Sequence, residues 1–394
     1  MKTNWQIKKL SEICEIVGGG TPKTGISKYW GGDLCWVTPK DLGRLDSFQI
    51  SETERKISES GLKNSSAQKL PIGSVILSSR APIGYVVINT VPMATNQGCR
   101  SFICGSEIFN KYLYYFLFSN TELLNSLGSG STFLEVSGSR LKEIEIPLPP
   151  LEIQKKIVEI LDEKFAKIRE VKSLREQSIA ETEKILSQTL REIFEEGKEK
   201  GWEEVFLKDI AKYSIGLTYS PSDVGSKGTI VLRSSNVQKD LIDLSSLVRV
   251  EKKIKEELFV KDGDILMCSR NGSKRLIGKT AMIKNLTEKM TFGTFMTIIR
   301  SENNAYLYYF FKSKLFFDQF SAGGGPMINQ ITKYMLDDIK LIIPPFSEQK
   351  KIVERLDTLS EKIRQMVELQ KSQLEDFKKL EKSYLREAFN GELV

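Results

Sequence analysis

The stretch PPLEIQKKIVEILD at 149–162 returns as PPFSEQKKIVERLD at 344–357, with ten of fourteen residues identical at a separation of 195. Proline just ahead of a Glu/Gln/Lys-rich segment marks a helix start. Beyond each copy, glycine and proline vanish over 151–196 and 346–390. The spacing predicts two helices of about 45 residues, each about 65–70 Å long.

The repetition continues outward on both sides. Trp5, Leu10 and Ile13 are answered by Trp202, Leu207 and Ile210, and GSVILSSR (73–80) by GDILMCSR (263–270). YLYYF occurs at 112–116 and 306–310, glycine-rich stretches follow as GSGST (128–132) and AGGGP (322–326), and RLKEIEIPLPP (140–150) matches YMLDDIKLIIPP (334–345). All fall in one order at separations of 190 to 197, so the chain is a tandem duplication. Ahead of each double proline, short β-rich runs alternate with turn glycines and prolines, the pattern of an α+β domain. Four segments result: 1–150, 151–198, 199–345 and 346–394.

Both helical segments carry an apolar stripe. In the second, Ile352, Leu356, Leu359, Ile363 and Met366 step by 4,3,4,3, and after Gln370 and Gln373 the seam resumes at Phe377, Leu380 and Tyr384. The first is less regular: Ile157, Leu161, Ile168, Val171 and Ile185 hold the register, Lys164, Arg175 and Ser178 interrupt it, and Phe165, Leu174 and Leu186 lie beside it. Such stripes need partners, and with two per chain the simplest arrangement is an antiparallel pair with one globular domain at either end. The fold class is therefore α+β, with two pseudosymmetric globular domains joined by a two-helix antiparallel coiled coil.

Composition bounds the function. The 394 residues suffice for two or three domains, and 40% hydrophobic with 28% charged residues fits a soluble globular protein. The longest apolar run, YLYYFLF at 112–118, is far short of a membrane span, and MKTNWQIKKLSEIC lacks the apolar core of a signal peptide. Five scattered cysteines (14, 35, 99, 104, 268) without a CxxC pair suit a reducing cytosol, so a cytoplasmic location is expected. The chain has no histidine, which removes Ser–His and Cys–His nucleophile pairs and the commonest zinc ligand. No metal site is expected.

The net charge of +7 is uneven: 1–150 holds 16 Lys/Arg against 13 Asp/Glu, 199–345 holds 22 against 17, and the helical segments hold 20 against 21. The basic excess lies in the globular domains, where nucleic-acid contact needs it.

Three motifs imitate catalytic sites. PPF at 344–346 is shared with the catalytic tetrapeptide of adenine methyltransferases, but Ile343 stands where Asn, Asp or Ser must hold the target amino group. GSKRLIGKT at 272–280 has five residues where a phosphate-binding loop needs four, and its flanks DILMCS and TAMIK read as neighbouring strands. Asp262 and Asp264 of KDGD suggest a metal, but DG is foremost a turn signal. No catalytic residue is assigned.

The credible surface is the loop after the β-run in each half: Ser79 and Arg80 in SSRAPIG, and Arg270, Asn271, Ser273, Lys274 and Arg275 in CSRNGSKRLIG. Arg and Asn make bidentate contacts to guanine and adenine edges, while Ser and Lys suit phosphates. The plain alternative has both arginines bracing a turn through a local carboxylate. Comparable loops add Thr38, Lys40, Asn96, Gln97 and Arg100 in the first half, and Arg233, Ser234, Ser235, Asn236, Asn329 and Gln330 in the second. Glycine loops such as GSGST could place amides against phosphates, though the plain reading is a flexible turn before a helix. The YLYYF pair reads as a buried helix rather than a base-stacking platform.

Two globular domains, each ending in PPLEIQKKIVEILD or PPFSEQKKIVERLD and a long helix, resemble the specificity subunit of Type I restriction–modification enzymes. SSRAPIGY with TNQGCRSFI, and SRNGS with FGTFMTIIR, are similar to that family's target recognition domains. The resemblance implies that each domain reads one half of a split, asymmetric site in double-stranded DNA. The helices would then set the spacing and dock two modification subunits, which bind S-adenosylmethionine and methylate adenine, and restriction subunits using ATP and Mg would join them. On that basis the chain itself has no active site and binds no cofactor. Two other classes remain open on the residues alone: a DNA-modifying enzyme acting by itself, and a coiled-coil scaffold whose globular ends bind proteins. Salt-dependent, sequence-selective DNA binding separates the last from a DNA reader.

Overall fold

The computed structural model describes residues 5–80, 82–130, 134–320 and 329–394. The stretch 322–326 and the end of GSGST lie outside them. The described residues form two compact units, 1–175 with 372–394 and 176–371. Each contains one globular domain and parts of both long helices, Leu151–Glu199 and Phe346–Asn390.

Both units repeat one plan. In the first, the antiparallel strands Cys14–Gly18, Cys99–Cys104, Val75–Ser78 and Val86–Asn89 lie side by side. In the second, Lys212–Ile215, Met296–Arg300, Ile265–Cys268 and Thr280–Met282 keep the same order. A parallel pair follows in each, Trp30–Val37 with Met93–Thr95 and Thr229–Leu232 with Met290–Phe292. A two-stranded ribbon closes each domain just before its double proline: Gln6–Lys9 with Glu145–Leu148, and Glu203–Phe206 with Lys340–Ile343. The central strands Val75–Ser78 and Ile265–Cys268 are buried at every position, which explains their continuous apolar sequence. Cys14 and Cys104 face each other across their ladder as free thiols; a hydrogen bond to Cys104 and burial push the Cys14 thiol far up.

The repeated motif is an anchor. Gln154 is fully buried, its amide nitrogen donating to the carbonyls of Pro149 (2.8 Å) and Glu107 (2.9 Å) while its oxygen accepts from the Phe109 amide at 2.8 Å. Gln349 repeats the first of these contacts, to Pro344 at 2.9 Å. Two turns on, Asp162 accepts from the Tyr115 hydroxyl at 2.6 Å and Asp357 from Tyr309 at 2.5 Å. Burial, and next the hydrogen bond to the aspartate, hold both phenols well above their ordinary range, so they remain donors. The YLYYF segments are buried helices, as expected, with Tyr112 and Tyr306 donating to the carbonyls of Pro147 and Ile342.

Within each unit the two long helices run antiparallel. In the first unit Lys172 pairs with Glu381 at 2.8 Å and Lys164 sits 4.1 Å over the Tyr384 ring. In the second, Gln370 donates to Ser178 at 2.9 Å, Lys200 lies 3.9 Å from Glu348, and Leu356 shares a core with Leu190 and Phe194. Ile157, Leu161, Ile168 and Leu356 are buried, and Ile352, Leu359, Ile363 and Phe377 partly so.

Met366 (48% exposed) and Leu380 (38%) are not in the seam; Val367, Leu374 and Glu381 occupy it instead. Val171, Leu174 and Ile185 likewise face solvent. A helix of 3.6 residues per turn drifts about 20° per heptad against a strict 3.5-residue repeat, so the covered row recurs every 18 residues rather than every seven. From Gln349, Ile352, Leu356 and Ile363 it passes to Val367, Gln370, Leu374 and Glu381.

These observations set an expected pair of outcomes. Gln154→Ala leaves one amide and two carbonyls without their partner and lowers stability by about 1–3 kcal/mol, read by chemical denaturation. Leu356→Asp costs several kcal/mol, while Met366→Asp changes stability by no more than about 0.5 kcal/mol. Equal losses at 356 and 366 would overturn the seam described above.

Candidate nucleic-acid interface

Two backbone loops meet at the same place in each domain. In the first, the Gly98 carbonyl accepts from the Ser79 amide (2.9 Å), and the Asn96 amide donates to Val37 (2.9 Å). In the second, the Phe295 carbonyl accepts from the Ser269 amide (2.9 Å), and the Gly293 amide donates to Leu232 (2.9 Å). Gly98 and Phe295 are thus equivalent, as are Asn96 and Gly293. Close approach of a third segment requires glycine: a Cβ on Gly19 would lie 1.8 Å from the Asn96 carbonyl oxygen, and one on Gly216 2.2 Å from that of Gly293.

In the first domain this junction gathers Arg80, Asn96, Gln97 and Arg100. Arg80 is exposed and pairs with Glu135 at 3.0 Å; Arg100 pairs with the same carboxylate at 3.2 Å and donates to the Gln97 and Cys99 carbonyls. Asn96 accepts from the Gly98 amide, and exposed Gln97 is hydrogen-bonded to Thr21. Thr38 caps the helix Pro39–Leu42 through Asp41, and Lys40 pairs with Glu54 at 3.0 Å on the adjoining surface. Ser79 requires a correction: it is fully buried, its hydroxyl bonded to the Gly98 carbonyl at 3.2 Å, and it offers nothing to a surface ligand.

The second domain brings together Arg233, Ser234, Arg270, Asn271 and Gln330. Asn271 donates to the Ser234 hydroxyl at 2.9 Å and accepts from the Ser273 amide, fixing the turn that presents Lys274 and Arg275 to solvent. Asn329 and Gln330 are exposed on the neighbouring segment, and Ser235 lies beside Ser234 on the surface. Asn236 needs the same correction as Ser79. It is 1% exposed and spends its amide on the Asp243 and Ser246 carbonyls (2.9 and 2.8 Å), because this bond set closes its own turn.

The equivalent arginines differ in their surroundings. Arg80 and Arg270 each bridge the backbone of one later residue, Glu135 and Gln330 respectively. The carboxylate that braces Arg80 is therefore an amide in the second domain. Among the described residues no acid pairs with Arg270; its guanidinium lies 5.5 Å over the Phe295 ring. Two clefts of about 580 and 320 Å³ share Phe295 in their walls, the first bordered by Tyr219 and Arg233, the second by Arg270 and Tyr334.

The three imitation motifs resolve as structure. Pro344 accepts from Gln349, and Phe346 opens the second long helix. GSKRLIGKT joins two antiparallel strands. Asp264, 3% exposed, accepts the Lys261 amide at 2.8 Å and a two-pronged contact from Arg300 at 2.8 Å.

Glu135, Phe295, Thr294 and Tyr219 were not singled out by sequence reasoning. Aligning the two halves loop by loop, TNQG against FGTF, is the signal that finds Phe295.

The comparisons with known proteins match this arrangement. The family described as Type I restriction modification DNA specificity domain matches residues 2–179 and again 199–376. The chain belongs to that family. It is 47% identical over 160 residues to the Type I restriction enzyme MjaIX specificity subunit of Methanocaldococcus jannaschii, covering 40% of this chain and 37% of that one. The chain thus spans little more than a third of that relative. It is 27% identical to the EcoKI specificity subunit of Escherichia coli over 99% of this chain and 89% of the relative. Among solved structures, a chain from a type I R-M system study of complex assembly and conformational transition superposes with a TM-score of 0.78 at 20% identity, covering 99% of this chain and 98% of that one. The HsdS subunit from Thermoanaerobacter tengcongensis gives 0.59 at 20% identity, covering 100% and 98%. Among the described residues no helix is long and apolar enough to cross a membrane.

Asp264 yields the test of its structural role. Asp264→Ala leaves Arg300 in a partly buried site without its acid and is expected to cost about 3–5 kcal/mol, read as a fall in the unfolding midpoint. An unchanged midpoint would overturn the structural role of Asp264.

Proposed function

We propose that this chain is the non-catalytic, DNA-reading subunit of a Type I restriction–modification complex. Residues 1–150 and 199–345 act as two target recognition domains, each reading one half of a split, asymmetric sequence in double-stranded DNA. The helical segments 151–198 and 346–394 set the separation of the half-sites and dock two modification subunits. S-adenosylmethionine belongs to those partners, and ATP and Mg to the restriction subunits that join them, in the cytoplasm.

The observation that carries this reading is the pattern of difference between the two domains. Anchors, ladders and buried tyrosines are duplicated, whereas side chains at the loop junction are not: Glu135 against Gln330, Gly98 against Phe295, Arg100 against Thr297. A scaffold with two like ends gains nothing from such differences, while a reader of two unlike half-sites needs them. Arg80, Arg270, Lys274 and Arg275 then serve as contacts to base edges and phosphates.

Co-expression with a modification subunit, followed by mapping of methylated adenines, is expected to return one bipartite sequence. Exchanging residues 1–150 for another member's domain should change one half only, and a change in both halves would overturn independent reading. Within the second half, Arg270→Ala should cost about 1–3 kcal/mol and relax preference at one position. Lys274→Ala should weaken all sequences alike and reduce the salt slope by about one ion. A lower melting temperature with base preference intact would instead make Arg270 a brace.

A further inference from the structure

We propose that Phe295 is a specificity-determining residue of the second domain, its ring contacting the C5-methyl group of a thymine beside a guanine read by Arg270. This rests on the DNA-reading function proposed above and adds to it a base step and a residue.

The fold holds the backbone of Phe295 and leaves its ring half-exposed. The carbonyl accepts from both Ser269 (2.9 Å) and Arg270 (3.1 Å), and the next amide, Met296, donates to Gly293 at 2.8 Å. The side chain is 53% exposed. At the equivalent place in the first domain the carbonyl of Gly98 makes the same bond to Ser79, so the junction forms with no side chain there at all. A single exposed apolar ring is ordinary on a protein surface, so a functional reading of Phe295 needs a second observation.

Arg270 supplies it. The guanidinium lies 5.5 Å over the ring, and Gln330 stands where Glu135 neutralises Arg80. Stacking on an aromatic face steers an arginine while leaving its in-plane N–H fork free. That fork matches guanine O6 and N7, and in the major groove thymine alone among the bases presents a methyl group, which apolar side chains such as phenylalanine contact. Stacked bases rise about 3.4 Å per step, so a ring and guanidinium 5.5 Å apart span between one and two steps, close enough to serve neighbouring base pairs. Exposed Lys274 and Arg275 on the following turn provide the flanking phosphate contacts.

The test uses the chain assembled with its modification subunits on the DNA site found by methylation mapping. Each thymine of the second half-site is replaced in turn by uracil, which removes only the methyl group. One position should weaken wild-type binding about fourfold, the effect of one buried methyl group. Phe295→Ala should equalise thymine and uracil at that position alone, Phe295→Leu should keep the preference, and the melting temperature of both should match wild type. Replacing the adjacent guanine should weaken the wild type and leave Arg270→Ala unaffected. The inference is overturned if no thymine of that half-site is methyl-sensitive, or if sensitivity survives Phe295→Ala. Those results on a complex that still methylates a defined sequence would leave the DNA-reading function standing, whereas a complex with no sequence preference would remove both.

Discussion

The buried amide of Gln154 holds the first domain together with its helix. A proline pair ends the last strand, and the chain must turn from ribbon to helix without leaving polar backbone unpaired in the core. Gln154 meets that demand by bonding the carbonyl of Pro149, which no helical amide reaches, and by tying the helix start to Glu107 and Phe109 on the domain side. Asp162 adds a second fixed point through Tyr115 and Lys111. With two such points about two turns apart, the helix leaves the domain in one direction only. In the second domain Gln349 repeats the bond to the proline carbonyl and Asp357 the bond to the tyrosine. This is why the duplicated chain preserves this stretch while the loops diverge: a shift here re-aims a whole helix, and a shift in a loop alters one contact.

The same scaffold permits different surfaces because the junction loops are fixed by backbone bonds. Ser79 and Ser269 amides meet the Gly98 and Phe295 carbonyls at the same distance, whatever side chain follows. Whereas a Cβ at Gly98 would crowd Pro39 and Asn96 at 3.1 and 3.2 Å, side chains at 295, 135 and 330 are then free to vary with little cost to the fold. Their effect on the field is large. Two arginines share one carboxylate in the first domain, whereas the described acids leave Arg270, Lys274 and Arg275 unneutralised in the second. The two surfaces thus differ in charge as well as shape.

Much of this was legible in the sequence, because duplication, helix starts and buried strands leave strong local patterns. The misses have physical causes. Ser79 and Asn236 sit among surface polar residues, and only the ladder shows that their side chains point inward to carbonyls. Gln154 reads as a solvated helix residue until its reach back to Pro149 is seen. Met366 and Leu380 fit a strict heptad and fail because the covered face follows the helix's own 3.6-residue period. Phe295 is invisible in either half alone; it stands out only against Gly98.

The covered face of the helices is polar where a coiled coil is usually apolar. In the first unit the seam passes through Lys172, Arg175, Gln373 and Glu381, and in the second through Ser178, Thr182 and Gln370. Gln370 is 5% exposed and its nitrogen meets Ser178, but its oxygen, like that of Gln373 and the Nε of Arg175, has no hydrogen-bond partner among the described residues. Leucines at these positions would stabilise the pair more. They would also let it slide, since one apolar heptad packs about as well as the next. A buried glutamine matched to a serine penalises any other register, because a slip leaves the amide against a hydrocarbon surface. In a chain whose two anchors fix where each helix begins, register is the remaining degree of freedom along the pair. The polar stretch sets it at the expense of stability.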